Sequence, residues 1–560
     1  MRQSMPMPRT TPTSLDSTPR PPGPRLRLGK ICVAIQAGSA AEMAERAEAA
    51  LKDSKFLEFR LDSLGKPAAT LPKLKEFLAG HRDVTAIATC RRKEYGGHFV
   101  GSLTAELETL VRAAEAGCQI VDLELESAEE TKASQLGQFR TRLRDAGTAL
   151  LISFHDFSRT RSLEGLEQTA QRIEAFEPDF VKVVSTARSL ADNLAILRLI
   201  ENRSLTAQVV GIAMGEEGLV SRVLGPRAGA AFTFASMDDG AGPQVATAPG
   251  QVSARTLHDL YRMEHLDQAT RIFGVAGNPI GHSLSPLMQN TAFRRENVNA
   301  ILLPLKVRVL ADLLTLVRDL PLSGVAVTMP LKQEVLPYLA NMDPLTSRIG
   351  ACNTLRTGAD GKLYGFNTDV AGVVRPLEKR LSLKGARVAV LGAGGAARAA
   401  VFGLVEQSAE VFVVNRTHEA AVALAREAKA KALKHVVFAR GHFDVLINAT
   451  PCGQIGGKQA LPIEESELNA GLVFDMIYNP LETPLLKLAK ARGIATIRGV
   501  EMFVQQGARQ FEIWTGKPAP EAEMLRVVEL ELRRRGSAMP EKIEKARRKE
   551  ILHGKPQTID

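Results

Sequence analysis

Eight short β-prone segments in the first half of the chain alternate with longer stretches that carry apolar residues at helical spacing. AAEMAERAEAALKD, which separates the first two segments, has the period of an amphipathic helix. Eight such units predict a (β/α)8 barrel rather than an open parallel sheet. The β-prone segments are residues 31–36, 56–62, 84–90, 119–125, 149–155, 180–185, 209–214 and 230–235.

Polar residues stand at the carboxyl ends of these segments. In a (β/α)8 barrel those ends converge on one rim, where the chemistry of such enzymes takes place. Taken singly, Asp62 and Asp122 are interpreted as structural, but the whole set predicts a site at this rim. The residues at the ends are Glu58, Arg60, Asp62, Arg91, Asp122, Glu124, His155, Lys182 and Met214.

Lys182 lies in the middle of DFVKVV, residues 179–184, a run that otherwise reads as a buried strand. One explanation is an edge strand whose lysine lies in water. The other is a desolvated, nucleophilic lysine that forms a Schiff base with a carbonyl. Arginines around such an amine would favour its neutral form, and His155 on the neighbouring strand would be suited to move protons.

The second half of the chain contains a dinucleotide-binding pattern. RVAVLGAGGAARAA, residues 387–400, predicts a strand, a glycine-rich turn and the start of a helix, in which Gly392, Gly394 and Ala397 match G-x-G-x-x-A. Such a turn leaves backbone N–H groups free to bind a pyrophosphate. The pattern therefore predicts a Rossmann domain.

The next β-prone run, EVFVVNRT, indicates which dinucleotide binds. An NAD enzyme places an acidic residue at the end of this strand to bind the ribose 2′-hydroxyl. This chain has Asn415, Arg416 and Thr417 there. Arg416 predicts a 2′-phosphate and hence NADP(H), although a surface cation at a strand end is the alternative.

Four further stretches end β-prone runs with hydroxyl, amide or charged residues, as the binding of a polyhydroxylated acid would require. Lys332 and Asp369 within them are the natural acid–base pair, because an aspartate keeps a neighbouring lysine charged and oriented. Singly, each is more often a surface charge. The stretches are residues 278–290, 324–335, 349–355 and 364–372.

Composition excludes several classes of protein. No apolar run approaches the roughly 18 residues of a membrane span. Five cysteines have no ligand-like spacing, so we expect a reducing compartment and no metal. The net charge of +10 is spread along the chain without a nucleic-acid motif, which favours anionic small molecules as partners. The Pro/Arg-rich tail, residues 1–28, is either a disordered tail of a cytoplasmic protein or a plastid targeting segment.

Six blocks of the first half, in order, resemble type I 3-dehydroquinate dehydratases over about residues 29–262: EFRLD, TCRRKEYGG, LISFHDF, DFVKVV, MGEEGLVSRVLG and ATAPGQ. The resemblance implies that Lys182 forms a Schiff base with the C3 ketone of 3-dehydroquinate and that His155 acts as acid and base. It implies that Arg222 binds the substrate carboxylate. Two departures are Thr247, where serine is common, and Glu94, which is displaced by one position. The implied substrate contacts are Glu58, Arg60, Arg91, Arg222, Thr247 and Gln251.

The second half resembles shikimate dehydrogenases over about residues 271–530, because FDMIYNPLETPLL and GVEMFVQQG follow the blocks above. The resemblance implies that Lys332 is catalytic. Departures are Gln289 in place of a common histidine and TPCGQ in place of TSxGM, whereas both serines of SLS favour shikimate over quinate. The implied substrate contacts are Ser283, Ser285, Thr328, Asn353, Asp369, Tyr478 and Gln506. The implied NADP(H) contacts are Gly392, Ala393, Gly394, Gly395, Ala396, Asn415, Arg416, Thr417, Gly499 and Met502.

The two halves predict consecutive chemistry: dehydration of 3-dehydroquinate to 3-dehydroshikimate, then reduction by NADPH to shikimate. Alternatives are a catabolic enzyme that uses quinate and a regulatory protein that senses metabolites. We expect a monomer or a homodimer. The expected segments are a tail at 1–28, the barrel at 29–262, a linker at 263–271, a substrate domain at 272–376, a Rossmann domain at 377–535 whose last helices return to the substrate domain, and a charged tail at 536–560.

Overall fold

The computed structural model describes residues 26, 28–202, 204–237, 250–455 and 459–552, with side chains described up to residue 536. Thr247 and most of the N-terminal tail lie outside these residues, as do the last eight residues of the C-terminal tail. Within the described ranges, no helix is both long enough and apolar enough to cross a membrane.

The first half forms the predicted parallel barrel. Its strands are buried on both faces, as expected for strands covered by helices outside and packed side chains inside. They are β1 (Ile31–Ile35), β2 (Phe56–Arg60), β3 (Thr85–Thr89), β4 (Ile120–Glu124), β5 (Ala149–His155), β6 (Phe180–Thr186), β7 (Gln208–Met214) and β8 (Thr233–Ala235). The ladder runs from β7 through β1 to β8, and Ala231 N–H donates to Val209 O (2.9 Å) across the remaining seam.

Helices surround this barrel. Three of them begin at a serine, Ser39, Ser102 or Ser162, whose hydroxyl accepts a backbone N–H of the first turn and so fixes the start of the helix. The helices are α1 (Ala40–Ala50), α2 (Pro67–Gly80), α3 (Leu103–Glu115), α4 (Leu125–Glu130), α5 (Ala133–Asp145), α6 (Leu163–Glu174), α7 (Asp192–Glu201) and α8 (Leu219–Ala228).

The interior of the barrel is apolar at one end and polar at the other. At the amino ends of the strands the rings of Phe56 and Phe232 meet edge to face at 4.8 Å, and Leu26 and Leu28 pack against this cluster. At the carboxyl ends the interior carries charged side chains instead. The apolar side chains at the amino ends form a packed core, whereas the charged side chains at the carboxyl ends are available to form a site.

The substrate domain contains a mixed sheet in the order β10-β9-β11-β13-β14-β12. Its strands are β9 (Arg271–Gly277), β10 (Ala300–Lys306), β11 (Leu322–Val327), β12 (Asn341–Met342), β13 (Thr354–Thr357) and β14 (Leu363–Phe366). Its helices are α9 (Ser285–Arg295), α10 (Leu310–Asp319), α11 (Leu331–Glu334), α12 (Pro344–Ile349) and α13 (Asp369–Glu378).

The third sheet is fully parallel and has the order β17-β16-β15-β18-β19-β20, which is that of a doubly wound Rossmann domain. Its strands are β15 (Arg387–Leu391), β16 (Glu410–Val414), β17 (Lys431–Ala432), β18 (Phe443–Asn448), β19 (Ala470–Asp475) and β20 (Ala495–Ile497). Its helices are α14 (Gly395–Glu406), α15 (His418–Ala428), α16 (His435–Phe438), α17 (Pro484–Ala491), α18 (Gly499–Thr515) and α19 (Glu521–Leu552). The predicted α/β fold class is confirmed.

Helix α18 leaves the Rossmann sheet and packs on the substrate domain. Trp514, near its end, donates from Nε1 to Leu355 O at 2.9 Å and stacks on Phe273 at 5.0 Å. The close approach of the indole to Gly324, where a Cβ would lie 2.5 Å from Nε1, requires a residue without a side chain. One helix therefore contacts both parts of the dehydrogenase-like half.

Ion pairs join the barrel to the substrate domain. Lys306 and Arg308, at and just after the end of β10, meet Glu216 and Glu217 in the turn that follows β7. Lys306 Nζ lies 2.5 Å from Glu216 Oε2, and Arg308 donates to Glu217 Oε1 at 2.7 and 3.0 Å. The contact therefore connects the catalytic rim of the barrel with the carboxyl end of a strand in the next domain.

Candidate active sites

An open cavity of about 670 Å³, mouth included, occupies the polar end of the barrel. Every described side chain that was predicted to serve the barrel site lines it, although these residues come from five different strands or loops and from helix α8. They are Glu58, Arg60, Arg91, His155, Lys182, Arg222 and Gln251.

Lys182 lies on β6 between β5 and β7, and only 4% of it is exposed. The edge-strand explanation is therefore wrong. Its Nζ donates to Asp122 Oδ2 at 2.8 Å, lies 4.0 Å from Glu58 Oε1 and sits 4.2 Å from the centroid of the Phe234 ring. The amine is thus held by carboxylates inside the barrel, not surrounded by arginines alone.

Asp122, interpreted from the sequence as structural, contacts the amine directly. Burial alone would raise the pKa of Asp122, but the charges of Lys182 and Arg91 outweigh burial and hold this pKa well below its usual value. Arg91 reaches the same carboxylate at 3.2 Å, and Ser153 donates to it at 2.5 Å. Asp122 therefore remains ionised and orients Lys182.

His155, at the end of β5, faces Glu124. Its Nδ1 lies 3.0 and 3.1 Å from the two carboxylate oxygens of Glu124. Burial, together with the charges of Arg91 and Lys182, lowers the pKa of His155 well below its usual value. Burial raises the pKa of Glu124 to about 7 although Arg91 lies 2.7 Å away. The imidazole is therefore neutral at pH 7, with Nδ1 engaged and Nε2 left for chemistry.

The arginines of the cavity are fixed by different means. Arg60 donates from Nε and Nη2 to both oxygens of Asp62 at 2.9 and 2.8 Å, which is a bidentate pair that orients the guanidinium. Arg222 is buried on α8, and burial lowers its pKa to about 10. A buried guanidinium on the cavity wall favours an anionic ligand, because an opposite charge offsets the cost of burial.

In the second half, Lys332 and Asp369 form the predicted pair. Lys332 Nζ donates to Asp369 Oδ2 at 2.6 Å, and Asn353 Nδ2 donates to Oδ1 at 2.8 Å. Asp369 is the first residue of α13, where the helix dipole stabilises a carboxylate. Lys332 is on the short helix α11 after β11. The pair lies where the carboxyl ends of strands meet.

The other predicted substrate residues lie in the loop after β9, directly after β11, and on or against helix α18. Ser285 N–H donates to Ser283 Oγ at 3.2 Å in the loop after β9, and a Cβ on Gly277, the last residue of β9, would lie 2.4 Å from Thr328 Cγ2. Tyr478 packs against Phe503 of α18 with ring centroids 4.9 Å apart. Gln506 donates from Nε2 to Phe503 O at 2.9 Å. Thr328 therefore lies against the end of β9, while Tyr478 and Gln506 both contact Phe503 of α18.

The glycine-rich turn has the geometry of a phosphate cradle. Gly392 has φ +115°, a conformation that L side chains rarely adopt, and the turn crosses to β18, where Ala449 O lies 3.2 Å from a Cβ built on Gly392. Among the described residues outside the turn and the helix itself, no atom lies within 4 Å of a Cβ at Gly394 or Gly395, so the start of α14 is open on this side. These groups fit a dinucleotide pyrophosphate. Arg416, at the end of the next strand, is exposed.

Comparison with known proteins agrees with the division of the fold. Family models match as type I 3-dehydroquinase over residues 31–268, shikimate dehydrogenase substrate-binding domain over 275–355, shikimate/quinate 5-dehydrogenase over 376–458 and shikimate 5′-dehydrogenase C-terminal domain over 499–529. A bifunctional 3-dehydroquinate dehydratase/shikimate dehydrogenase of Arabidopsis thaliana is 33% identical over 510 residues, covering 88% of this chain and 82% of the relative. The chain belongs to this bifunctional family.

Relatives of the second half alone are also similar. The NADP⁺ shikimate dehydrogenase of Methanosarcina acetivorans is 42% identical over 275 residues, covering 47% of this chain and 98% of that protein. A crystal structure of Thermus thermophilus shikimate 5-dehydrogenase with NADP(H) and shikimate is 34% identical and covers 47% of this chain and 99% of its own, with a TM-score of 0.43.

As a member of the bifunctional family, the chain carries two activities of the shikimate pathway. The N-terminal half is a 3-dehydroquinate dehydratase and the C-terminal half is an NADP-dependent shikimate dehydrogenase. The predictions of both activities and of NADP dependence are confirmed.

Sequence reasoning missed part of the dehydratase site of this bifunctional enzyme. Asp122 was interpreted as structural, and Glu124 was placed on the rim without a role. Their spacing carries a signal, because residues two apart on a strand face the same side and IVDLE therefore places both carboxylates inside the barrel. Glu94, in contrast, is outside the cavity: its side chain is 69% exposed and 3.5 Å from Arg92.

Proposed function

We propose that the dehydratase works through a Schiff base on Lys182, and the observation that carries this proposal is the buried lysine beside Asp122 and His155 in one cavity. The amine attacks the C3 ketone of 3-dehydroquinate, and the adduct takes up one proton from solvent as its hydroxyl leaves as water, which gives an iminium; this proton returns to solvent when the iminium is hydrolysed. His155 removes the C2 proton, and the C1 hydroxyl departs as water with a proton returned by His155. Water then hydrolyses the iminium and releases 3-dehydroshikimate and free Lys182.

The remaining polar residues of the cavity hold the substrate. Arg222 binds its carboxylate, since a buried guanidinium suits a bidentate anion. Asp122 and Glu124 position Lys182 and His155 through the contacts described above. The ring hydroxyls and the ketone are bound by Glu58, Arg60, Arg91, Thr247 and Gln251.

In the dehydrogenase, Lys332 is proposed as the general acid. Bound NADPH supplies a hydride to the ketone carbon of 3-dehydroshikimate. Lys332 gives its proton to the ketone oxygen, so the product is an alcohol, and solvent reprotonates the lysine. Asp369 accepts a hydrogen bond from Lys332 at 2.6 Å and thereby orients the amine. Substrate contacts are proposed from Ser283, Ser285, Thr328, Asn353, Tyr478 and Gln506.

NADP(H) is proposed to lie along the glycine-rich turn, with its pyrophosphate at the start of α14 and its 2′-phosphate on Arg416. Hydrogen bonds to a charged group commonly contribute about 1.5–3 kcal/mol. The proposed contacts are Gly392, Ala393, Gly394, Gly395, Ala396, Asn415, Arg416, Thr417, Gly499 and Met502.

Arg416→Ala is expected to raise the KM for NADPH about 10- to 100-fold and to leave the KM for NADH unchanged, because only NADPH carries the 2′-phosphate. Steady-state kinetics with each cofactor measures both values. Arg426→Ala is the matched control, since Arg426 is an exposed arginine in the last turn of α15, the helix that begins two residues after Arg416. Equal effects of Arg416→Ala on both cofactors would contradict the assignment.

We also propose that the dehydrogenase runs toward shikimate in biosynthesis. Purified enzyme with 3-dehydroquinate alone should accumulate the conjugated enone, and added NADPH should then be consumed. In the reverse direction kcat/KM should be at least about tenfold higher for shikimate with NADP⁺ than for quinate or with NAD⁺. Comparable turnover of quinate with NAD⁺ would instead support a catabolic enzyme.

We also make proposals on the binding partners, the oligomeric state and the cellular location of the enzyme. We propose small-molecule partners only, without nucleic acid or membrane, a chain that acts as a monomer or homodimer, and no metal cofactor. A cytoplasmic location is proposed, with a plastid as the alternative because the Arabidopsis relative is named as chloroplastic. The proposed domain limits are 29–262, 272–376 and 377–535.

A further inference from the structure

We propose that Gln289 is a positioning residue of the dehydrogenase. Its side-chain amide fixes helix α18, which carries Gln506 and Met502, against helix α9, which begins at Ser285. The inference rests on the proposed function, in which Gln506 and Ser285 contact the substrate. It assigns a role to a position where this chain departs from the histidine that is common among shikimate dehydrogenases.

The contact between the two helices is direct. Gln289 is completely buried on α9, and its Nε2 donates to the backbone carbonyl of Gly507 at 2.8 Å. Gly507 allows a close approach of the two helices, since a Cβ there would lie 2.1 Å from the terminal methyl of Met288 and would require this side chain to move. The side chain of Gln289 on α9 therefore contacts the backbone of α18 directly. This hydrogen bond fixes the rotation of α18 about its own axis and its position along α9.

A second side of α18 is held just as closely. Helix α13, which begins at Asp369, carries Gly372, and a Cβ at Gly372 would lie 2.9 Å from Met502 O and 3.2 Å from Gln506 Cβ. Helix α18 is thus clamped between the helix that begins at Ser285 and the helix that begins at Asp369. Loosening either contact changes the distance of Gln506 from the catalytic pair.

The hydrogen bonding of Gln289 indicates that this residue positions α18 more than it stabilises the fold. Its Oε1 is buried and has no hydrogen-bond partner among the described residues. A buried acceptor without a partner destabilises the folded state. Leucine of similar volume removes this acceptor together with the bond to Gly507, so the substitution costs little stability but frees α18.

Asn290, the next residue, is the matched control. It is also a buried amide on α9, yet its Nδ2 donates to Leu302 O at 3.1 Å and its Oδ1 accepts from Leu302 N at 2.7 Å. Both bonds go to β10 and neither goes to α18. Asn290→Ala is therefore expected to destabilise the domain without a specific effect on substrate binding.

The test uses the full-length enzyme and compares Gln289→Leu, Gln289→His, Asn290→Ala and Gln506→Ala. We expect Gln289→Leu to raise the KM for 3-dehydroshikimate about tenfold with kcat and the melting temperature nearly unchanged. Gln289→His should restore the KM to within about threefold, because an imidazole N–H can donate to the same carbonyl. Dehydratase activity of the same chain reports the concentration of folded enzyme.

The outcomes separate the inference from the function on which it rests. A normal KM in Gln289→Leu, while Gln506→Ala raises it, overturns the role of Gln289 alone. No effect of Gln506→Ala overturns the proposed substrate contact and, with it, the route by which Gln289 acts. A KM that rises equally in Gln289→Leu and Asn290→Ala, in step with lost stability, shows a merely structural residue and also overturns the inference.

Discussion

Replacement of Lys182 by methionine lowers the dehydratase kcat by about four to six orders of magnitude, which is the expected result if the amine is the nucleophile. Methionine fills similar space but cannot form the iminium that acidifies the C2 proton. Release of the conjugated enone from 3-dehydroquinate measures the loss. Dehydrogenase activity of the same chain should be unchanged, and this shows that the protein is folded.

Lys182→Arg separates charge from nucleophilicity. Arginine keeps a positive charge beside Asp122, which lies 2.8 Å from the native amine, but it does not form a Schiff base. We expect this variant to be as inactive as the methionine variant. Borohydride added with 3-dehydroquinate should attach the substrate carbon skeleton to Lys182 of the native enzyme. Full activity together with an unmodified Lys182 peptide would rule out the covalent mechanism.

The second large effect is expected at Lys332. Lys332→Met should lower the dehydrogenase kcat by about 10²- to 10⁴-fold, since the ketone oxygen loses its proton donor. NADPH oxidation in the presence of 3-dehydroshikimate measures the change, and the KM for NADPH should stay the same. Asp369→Asn should give a smaller loss in the same direction, because an amide oxygen can still accept a hydrogen bond from Lys332 but lacks the negative charge of the native carboxylate, which lies 2.6 Å from the amine.

An exposed lysine provides the control for Lys332. Lys362 lies in the turn before β14, and Lys362→Met is expected to leave both activities unchanged. The dehydratase activity of Lys332→Met should equal that of the native enzyme. A Lys332→Met variant that keeps more than about a tenth of the native kcat would show that another group supplies the proton.

The periodicity of the sequence was sufficient to predict the barrel and the residues on its rim. It was not sufficient to predict which of them touch. Lys182 lies on β6 and Asp122 on β4. In the register, Lys182 pairs with Ser153 and Ser153 pairs with Glu124, so Asp122 is two residues before the β4 residue that is level with Lys182. The lysine nevertheless reaches Asp122 at 2.8 Å, a contact that no local pattern predicts. Alternation along a strand gives the face of a residue, but the relative heights of strands come from packing of the whole barrel.

The same limit applies to the second half. The glycine-rich turn and the Lys332–Asp369 pair follow from local patterns, but the contact between Gln289 and Gly507 joins residues 218 positions apart. The sequence showed that Gln289 replaces a common histidine, but it did not show that this side chain contacts Gly507. The short linker likewise predicts that the two halves are neighbours, but it does not predict how the barrel is oriented relative to the dehydrogenase half.

In this fused enzyme the ion pairs between Glu216, Glu217, Lys306 and Arg308 connect the barrel to the substrate domain in addition to the peptide linker. Salt weakens attraction between exposed charges, whereas the largely buried Glu217 is screened less. We therefore expect rising ionic strength to weaken the pair of Lys306 with the exposed Glu216 more than the pair of Arg308 with the buried Glu217.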